Sequence, residues 1–326
     1  MANTPEIHLP SSARHLRPIF IAGPTAVGKS EIALRLAEQL GGEIISADSM
    51  QVYRGLDLGT AKPSPTERAR VPHHLVDICE LAENFDAAQF IRRAQQAVVE
   101  IQARNKVPIF CGGTGLYFKA FLSGLGEVPA THFELRAELE AAPLEALLRE
   151  LHEHDPATYG KIDKQNPRRV IRAVEVIRLT GKPFSEQRAE WSAESTRCDD
   201  RTTQRAIPTK SNFFCFTRHP ADLHARINAR VDAMFRRGLV EETRGLLAHG
   251  LAENKTAMQA IGYRQVVEYL RGERPLAETI ELVKSRTRQF AKRQLTWFRR
   301  HGNGEWMELK PDEALEECGR KIAAAF

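Results

Sequence analysis

Gly23-Pro24-Thr25-Ala26-Val27-Gly28-Lys29-Ser30 fits the pattern GxxxxGK[ST], and each residue type in it has a chemical use. Glycines let the backbone wrap a phosphate closely. A helix starting where such a loop ends presents free N–H groups and the positive end of its dipole to the anion. Lys29 adds a point charge, and Ser30 can ligate a magnesium ion that already holds phosphate oxygens. The eight residues are the candidate cradle for a diphosphate or triphosphate. A chance glycine turn is the alternative, and the flanking strand and helix patterns speak against it. What molecule carries the phosphates is left open by the loop itself.

An enzyme that transfers a γ-phosphate needs a magnesium-binding Asp at the end of a later strand. Here the best later strand, Val107 to Cys111, runs into Gly112-Gly113-Thr114-Gly115 instead. The carboxylate follows an earlier strand, in Ser46-Ala47-Asp48-Ser49-Met50-Gln51. Strand carboxyl ends line the ligand crevice of an open α/β sheet, so Asp48, Thr114 and the phosphate loop are expected to converge. Asp48 suits a general base beside the phosphates. Its plainer role would be to cap the next helix.

The elements that must position these groups are visible in the first ~120 residues, which alternate strand and helix patterns as a parallel sheet demands. Pro18 to Ala22 is a short apolar run. Ile32, Ala33, Leu36, Ala37 and Leu40 then recur at helical spacing. Glu43 to Ser46 is a second strand, Ile91, Ala94, Val98 and Ile101 mark a helix face, and Val107 to Cys111 is a third strand. From 126 to 210 the chain turns Glu-, Arg- and Leu-rich with little that reads as strand, so a helical insertion is expected there, ending in a polar irregular stretch from Glu194. The core resumes over 211–326, with a strand at Phe213 to Phe216, a helix face of Leu223, Ile227, Val231 and Met234, and a long helix from about Leu276 to Arg300. The expected fold is α/β of the P-loop NTPase type: a parallel-sheet core from 1–125 and 211–326, interrupted by an α-helical domain.

At 326 residues, 42% hydrophobic and 27% charged, the chain has the composition of a globular protein with a sizeable core. No window reaches the ~18 apolar residues of a membrane-spanning helix, and no secretory signal is visible at the start. A cytoplasmic protein without a membrane partner is expected. Five scattered cysteines with no CxxC pair argue against zinc modules and disulfide frameworks. A net charge of +5 permits a polyanionic partner without requiring one.

Where the charge sits says more than its sum. Between Lys161 and Lys182 seven basic residues face two acidic ones, and from Lys284 to Arg300 there are seven and none. Such stripes are often only solvated faces, but two of them beside a phosphate site point to RNA. Phe290, Trp297 and Phe298 interleave the second stripe. The seven-residue spacing of Phe290 and Trp297 reads as a buried helix seam or as base-stacking rings.

The chain resembles the tRNA dimethylallyltransferase (tRNA isopentenyltransferase) family in its bacterial form. The resemblance rests on GPTAVGKS (23–30), DSMQVYRGLDLGTAKPS (48–64), VPHHLVDI (71–78), GGTGLYFKA (112–120), QNPRRVIRAVEV (165–176), AIGYRQ (260–265) and RQFAKRQLTWFR (288–299). These segments keep the family's order and span nearly the whole chain. The C-terminal zinc finger of eukaryotic members has no counterpart.

The resemblance implies transfer of a dimethylallyl group from its diphosphate to the exocyclic amine of the adenine 3′ to a tRNA anticodon. The phosphate loop, often labelled ATP-binding in such proteins, would hold the donor's diphosphate with Mg2+, its ligand being Ser30. Asp48 would take the amine's proton, while Lys29, Thr114 and Arg230 stabilise the departing diphosphate. By residues alone, Arg230 is merely one more base on a basic helix. The family pattern further implies tRNA contact at Asp48, Ser49, Met50, Gln51, Thr114 and Arg136, and at Gln165, Asn166, Pro167, Arg168 and Arg169. Gln259, Ala260, Ile261, Gly262, Tyr263 and Arg264 form another contact segment, and Lys292, Arg293, Trp297 and Arg299 a last one. The helical insertion would grip the anticodon stem-loop, and the adenine would be flipped out of its stack to reach a buried base. A monomer is expected.

Three rivals are distinguishable. A prenyltransferase of free adenine nucleotides would need neither basic segment. The GGTGLY turn speaks against a small-molecule kinase, and a non-catalytic RNA-binding module would not need Lys29 and Asp48 together at strand ends.

Overall fold

The computed structural model describes residues 16–125, 129, 131–187, 212–302, 304–310 and 315–325. The polar stretch from Glu194 to Lys210 lies outside them.

Strand β1 (Ile19–Ala22) leads through the phosphate loop into α1 (Lys29–Leu40), which ends at Gly41 in the left-handed conformation, φ 61°. Next come β2 (Glu43–Ala47), α2 (Pro65–Arg70), β3 (His73–His74), α3 (Ala87–Ala103), β4 (Pro108–Gly112) and α4 (Gly115–Ser123). After a segment whose described elements are all helices, β5 (Phe213–Arg218) returns to the sheet.

All strands pair in parallel, in the order β3-β2-β4-β1-β5-β6. β1, β2 and β4 are buried at every position, as parallel strands covered on both faces must be. β1 sits between β4 and β5, so the chain leaves it toward β2 on one side and later fills the other. That reversal places a crevice at its carboxyl end. β4 and β2 approach so closely that a Cβ on Gly112 would lie 2.1 Å from the Ala47 carbonyl oxygen.

The expected strands and helices of the core are present, and the α/β class is as the sequence indicates. Two edge strands are additions: β3, and β6 (Glu305–Leu309), which exposes most of its side chains. Both are too short or too polar to carry an apolar pattern.

The chain divides into two compact units, Met1–Leu122 with Asp200–Phe326, and Ser123–Asp199. The smaller holds α5 (Phe133–Ala141), α6 (Leu144–His154), α7 (Pro156–Lys161), α8 (Pro167–Thr180) and α9 (Phe184–Gln187). Its core is Leu139, Leu147, Leu151, Val170, Ile171, Val174 and Ile177. Helix α8 starts with Pro167 in its first turn and stops at Gly181, φ 67°, the usual asymmetry of helix ends.

In the larger unit, β5 is followed by α10 (Pro220–Arg236), α11 (Leu239–Leu247), α12 (Tyr263–Leu270), α13 (Leu276–His301), β6 and α14 (Leu315–Ala325). Phe298 of α13 is wholly buried and meets Phe118 of α4 edge-on at 5.9 Å. That contact seats α13 against α4.

Candidate active site

The phosphate loop owes its shape to backbone that most residues avoid. Gly28 has φ 112° and Ala26, with a side chain, has φ 64°. Such a residue persists only where its surroundings over-determine it, and here they do. The Val27 carbonyl accepts from Arg218 Nε at 2.7 Å, the Ala26 carbonyl from Arg226 Nε at 3.0 Å, and the Pro24 carbonyl from Lys29 Nζ at 3.2 Å. Three carbonyl oxygens are thus held by cations, and α1 begins without a side-chain cap. Its first-turn N–H groups are the kind that bind phosphate. Ser30 is exposed in that first turn.

Asp48 stands one residue beyond β2. Its Oδ1 accepts the N–H groups of Met50 at 2.9 Å and Gln51 at 3.4 Å. No helix follows for it to cap, since α2 begins only at Pro65; one oxygen instead holds the turn after β2. Thr114 lies one residue before α4. Its Oγ1 accepts the Ser49 N–H at 3.1 Å and its own N–H donates to the Ala47 carbonyl at 3.2 Å. Arg230, on α10, donates to the Thr60 carbonyl at 3.4 Å.

Lys29, Asp48 and Arg230 are within electrostatic reach of one another. Burial lowers the pKa of the Lys29 ammonium; Arg230 acts in the same direction, while Cys111 and Asp48 oppose it. Burial likewise lowers the Arg230 guanidinium, and Asp48 opposes this. Two desolvated cations beside one carboxylate leave positive charge to spare, which suits an anion. Burial also pushes the Cys111 thiol up to about 11, so it stays protonated near neutrality.

Gln51 has its amide fully engaged within the chain. Ser46 Oγ donates to its Oε1 at 2.9 Å, and its Nε2 donates to the carbonyls of Thr60 at 3.2 Å and Ala61 at 3.3 Å. It organises the loop after Asp48. The same loop is anchored by the buried Lys62 ammonium, 2.6 Å from Asp57 and 2.5 Å from Asp77. From the other side, Tyr263 accepts the Gly59 N–H at 3.0 Å and donates to Glu242 at 2.5 Å.

Tyr263 is wholly buried and Ala260 is 5% exposed. The Tyr263 hydroxyl thereby holds this loop from within. A helical motif does not distinguish a ring turned inward from one turned outward. Gly262 is buried too, whereas Gln259 and Arg264 are exposed and Ile261 is half-buried. Arg264 pairs with Glu268 at 3.1 Å.

On α13, Lys292, Arg293 and Arg299 are exposed. Lys284 is paired with Asp232 and Glu281, so part of the stripe is neutralised. Trp297 is half-buried, and a Cβ on Gly115 would lie 2.1 Å from its ring. It belongs to the seam between α13 and α4, as its heptad spacing from Phe290 allows.

In the smaller unit, Gln165, Pro167, Arg168 and Arg169 are exposed at the start of α8, with Asn166 half-buried. Burial and the neighbouring Arg136 lower the pKa of Arg168. Glu175, fully buried, receives Arg172 at 2.7 Å and faces Arg136 at 3.6 Å.

Sequence reasoning passed over Arg218 and Gln294. Gln294 is a polar residue on the buried face of α13, between Ala291 and Phe298. That break in an apolar stripe was its available signal.

A parallel sheet with a phosphate loop after its central strand defines a phosphate-loop α/β protein. A family model described as IPP transferase matches residues 51–301, and the chain belongs to that family. The tRNA dimethylallyltransferase 1 of Citrifermentans bemidjiense is 43% identical over 295 residues, covering 90% of this chain and 93% of its own. The tRNA dimethylallyltransferase of Halorhodospira halophila is 45% identical over 303 residues, 91% of this chain and 94% of its own. Among solved structures, the tRNA isopentenylpyrophosphate transferase of Bacillus halodurans matches with a TM-score of 0.66 at 37% identity, over 95% of this chain and 96% of that one. A eukaryotic dimethylallyltransferase acting on tRNA matches with a TM-score of 0.70 at 28% identity, over 90% and 74%.

Proposed function

We propose that this chain transfers a dimethylallyl group from dimethylallyl diphosphate to the exocyclic amine of the adenine 3′-adjacent to the anticodon of tRNA. The observation that carries the reading is the electrostatic grouping of Asp48, just past β2, with Lys29 at the start of α1 and Arg230 on α10, within a chain of this family. One carboxylate and two cations are what the reaction requires. The amine nitrogen bonds to the allylic carbon as the carbon–oxygen bond to diphosphate breaks, and the amine's proton passes to Asp48. Negative charge collects on the leaving diphosphate, where Lys29, Arg230 and the loop N–H groups would receive it. Preorganised donors of this kind supply much of the barrier reduction in such sites.

The donor set fits a magnesium ion of the sort that binds mainly through substrate phosphates. Ser30 offers a hydroxyl in the first turn of α1, and among the described residues no cluster of three His, Cys, Asp or Glu side chains competes for a metal. Bound there, magnesium would neutralise diphosphate charge.

The tRNA would meet two basic surfaces. One is Arg168 and Arg169 at the start of α8, with Arg136. The other is Lys292, Arg293 and Arg299 on α13. The helical unit is read as the grip on the anticodon stem-loop, and the chain as a monomer of the cytoplasm. Among the described residues no helix is long and apolar enough to cross a membrane.

Incubation with labelled dimethylallyl diphosphate, bulk tRNA and free AMP tests the reading. Label is expected in tRNA alone. Label in AMP would assign a nucleotide prenyltransferase instead, and label in neither would remove the proposal.

A further inference from the structure

Gln294 joins two loops that carry the chemistry. It is 7% exposed on α13, in line with Val283, Ala291 and Phe298. Its amide oxygen accepts the Thr25 N–H at 2.8 Å, and its amide nitrogen donates to the Gly113 carbonyl at 2.9 Å. One side chain thereby fastens the phosphate loop after β1 to the turn after β4. Room has been left for it: a Cβ on Gly113 would lie 2.1 Å from Nε2. A carboxamide supplies one acceptor and one donor in a single neutral group. An apolar side chain of equal size would leave both backbone groups unpaired.

We propose that Gln294 is a positioning residue of the donor site, setting the shape of the phosphate loop and through it the affinity for the diphosphate. The ligand's identity rests on the function proposed above. Thr25 immediately precedes Ala26, whose φ of 64° costs energy that the surroundings must supply. Arg226 and Arg218 hold the carbonyls of Ala26 and Val27, and Gln294 holds the N–H on the other side of the strained residue. Without Gln294 that side of the loop keeps only the longer contact from Lys29 Nζ to the Pro24 carbonyl, 3.2 Å. The cost of ordering it is then drawn from donor binding. Because Gln294 touches backbone and not the reacting atoms, its loss acts on the donor and leaves tRNA recognition alone.

The test uses the full chain with Gln294→Met, Gln294→Glu and Gly113→Ala. Dimethylallyl diphosphate and inorganic diphosphate are titrated separately in the presence of magnesium, and KM for tRNA is measured in parallel. Gln294→Met and Gly113→Ala should each weaken both diphosphates by about 10- to 100-fold, the scale of one or two backbone hydrogen bonds at 1.36 kcal/mol per tenfold. KM for tRNA should stay within about two-fold, and the double variant should be no worse than the weaker single, because both act on one contact.

Gln294→Glu supplies a pH signature. Its ionised carboxylate still accepts from Thr25 but cannot donate to Gly113, whereas the protonated acid can do both. Its donor affinity, taken as a ratio to wild type at each pH, should therefore recover as pH falls. Unchanged diphosphate affinity in a folded Gln294→Met or Gly113→Ala protein would overturn the proposal. So would equal losses for donor and tRNA, or a flat pH ratio for Gln294→Glu. Wild-type protein that binds inorganic diphosphate but not dimethylallyl diphosphate would instead refute the donor assignment, and the Gln294 effect would still be read on inorganic diphosphate.

Discussion

The Thr114 hydroxyl accepts the Ser49 N–H at 3.1 Å and lies 3.5 Å from Ser49 Oγ. This contact fastens the turn that carries Asp48 to the turn that follows β4. Thr114→Ala leaves the Ser49 N–H without its partner, a loss worth ~1–2 kcal/mol and hence about 5- to 30-fold in turnover if Asp48 must be held in place. Thr114→Ser keeps the hydroxyl and should keep most of the rate. Equal losses in single-turnover assays of the two variants would assign Thr114 a packing role through its methyl group.

Lys29 gives a prediction in two parts. Lys29→Ala should weaken dimethylallyl diphosphate binding with tRNA affinity nearly intact, measured by titration of each ligand alone. Burial lowers the wild-type ammonium below the ordinary 10.5, and the charged form is the one that holds the anion. Below the lowered value Lys29 is charged and the donor binds; as pH rises through it, kcat/KM for the donor should fall. The fall should come earlier than 10.5. Lys29→Arg, charged throughout, should abolish that alkaline limb; a limb that persists in the variant belongs to another group.

The basic residues at the start of α8 predict a salt effect. The logarithm of tRNA affinity should fall linearly with the logarithm of salt, and each phosphate contact removed should flatten the slope by roughly 0.7–0.9. Arg168→Gln with Arg169→Gln should therefore reduce it by about 1.4–1.8. An unchanged slope in the folded double variant would move the RNA surface elsewhere.

Gly115 and Trp297 test the reading of the α13 seam. A Cβ at Gly115 meets the Trp297 ring at 2.1 Å, so Gly115→Ala should cost about 1–3 kcal/mol by overpacking. Trp297→Leu, which makes room, should recover part of that loss in urea unfolding. A Gly115→Ala protein as stable as wild type would show that Trp297 moves aside freely, as a stacking ring would.

The core was legible because parallel strands buried on both faces must be short apolar runs, as Ile19–Ala22 and Pro108–Gly112 are. The phosphate loop was legible because its glycines and lysine have a fixed local job. What stayed hidden were contacts between distant segments. Gln294 and Thr25 are 269 residues apart, and no local pattern links them. Trp297 was ambiguous for a related reason: an aromatic residue in a basic helix looks the same whether it packs inward or faces RNA. Gln51 shows the limit in another form, since its position beside Asp48 says nothing of the three oxygen atoms that engage its amide.

Asp48 carries the central claim. An adenine amine is a poor nucleophile because its lone pair is delocalised, so it must lose a proton as the new bond forms. Oδ1 of Asp48 caps Met50 and Gln51, while Oδ2 has no hydrogen bond among the described residues and is left for the proton. Asp48→Asn can keep the cap through its amide oxygen but cannot accept a proton, so the turn should survive and the chemistry should not. The decisive measurement is the single-turnover rate of folded Asp48→Asn enzyme saturated with tRNA and dimethylallyl diphosphate. A loss of about 10²–10⁴-fold, the usual worth of a general base, with both affinities little changed, is the result predicted. A rate within a few-fold of wild type would reduce Asp48 to a capping residue and contradict the mechanism.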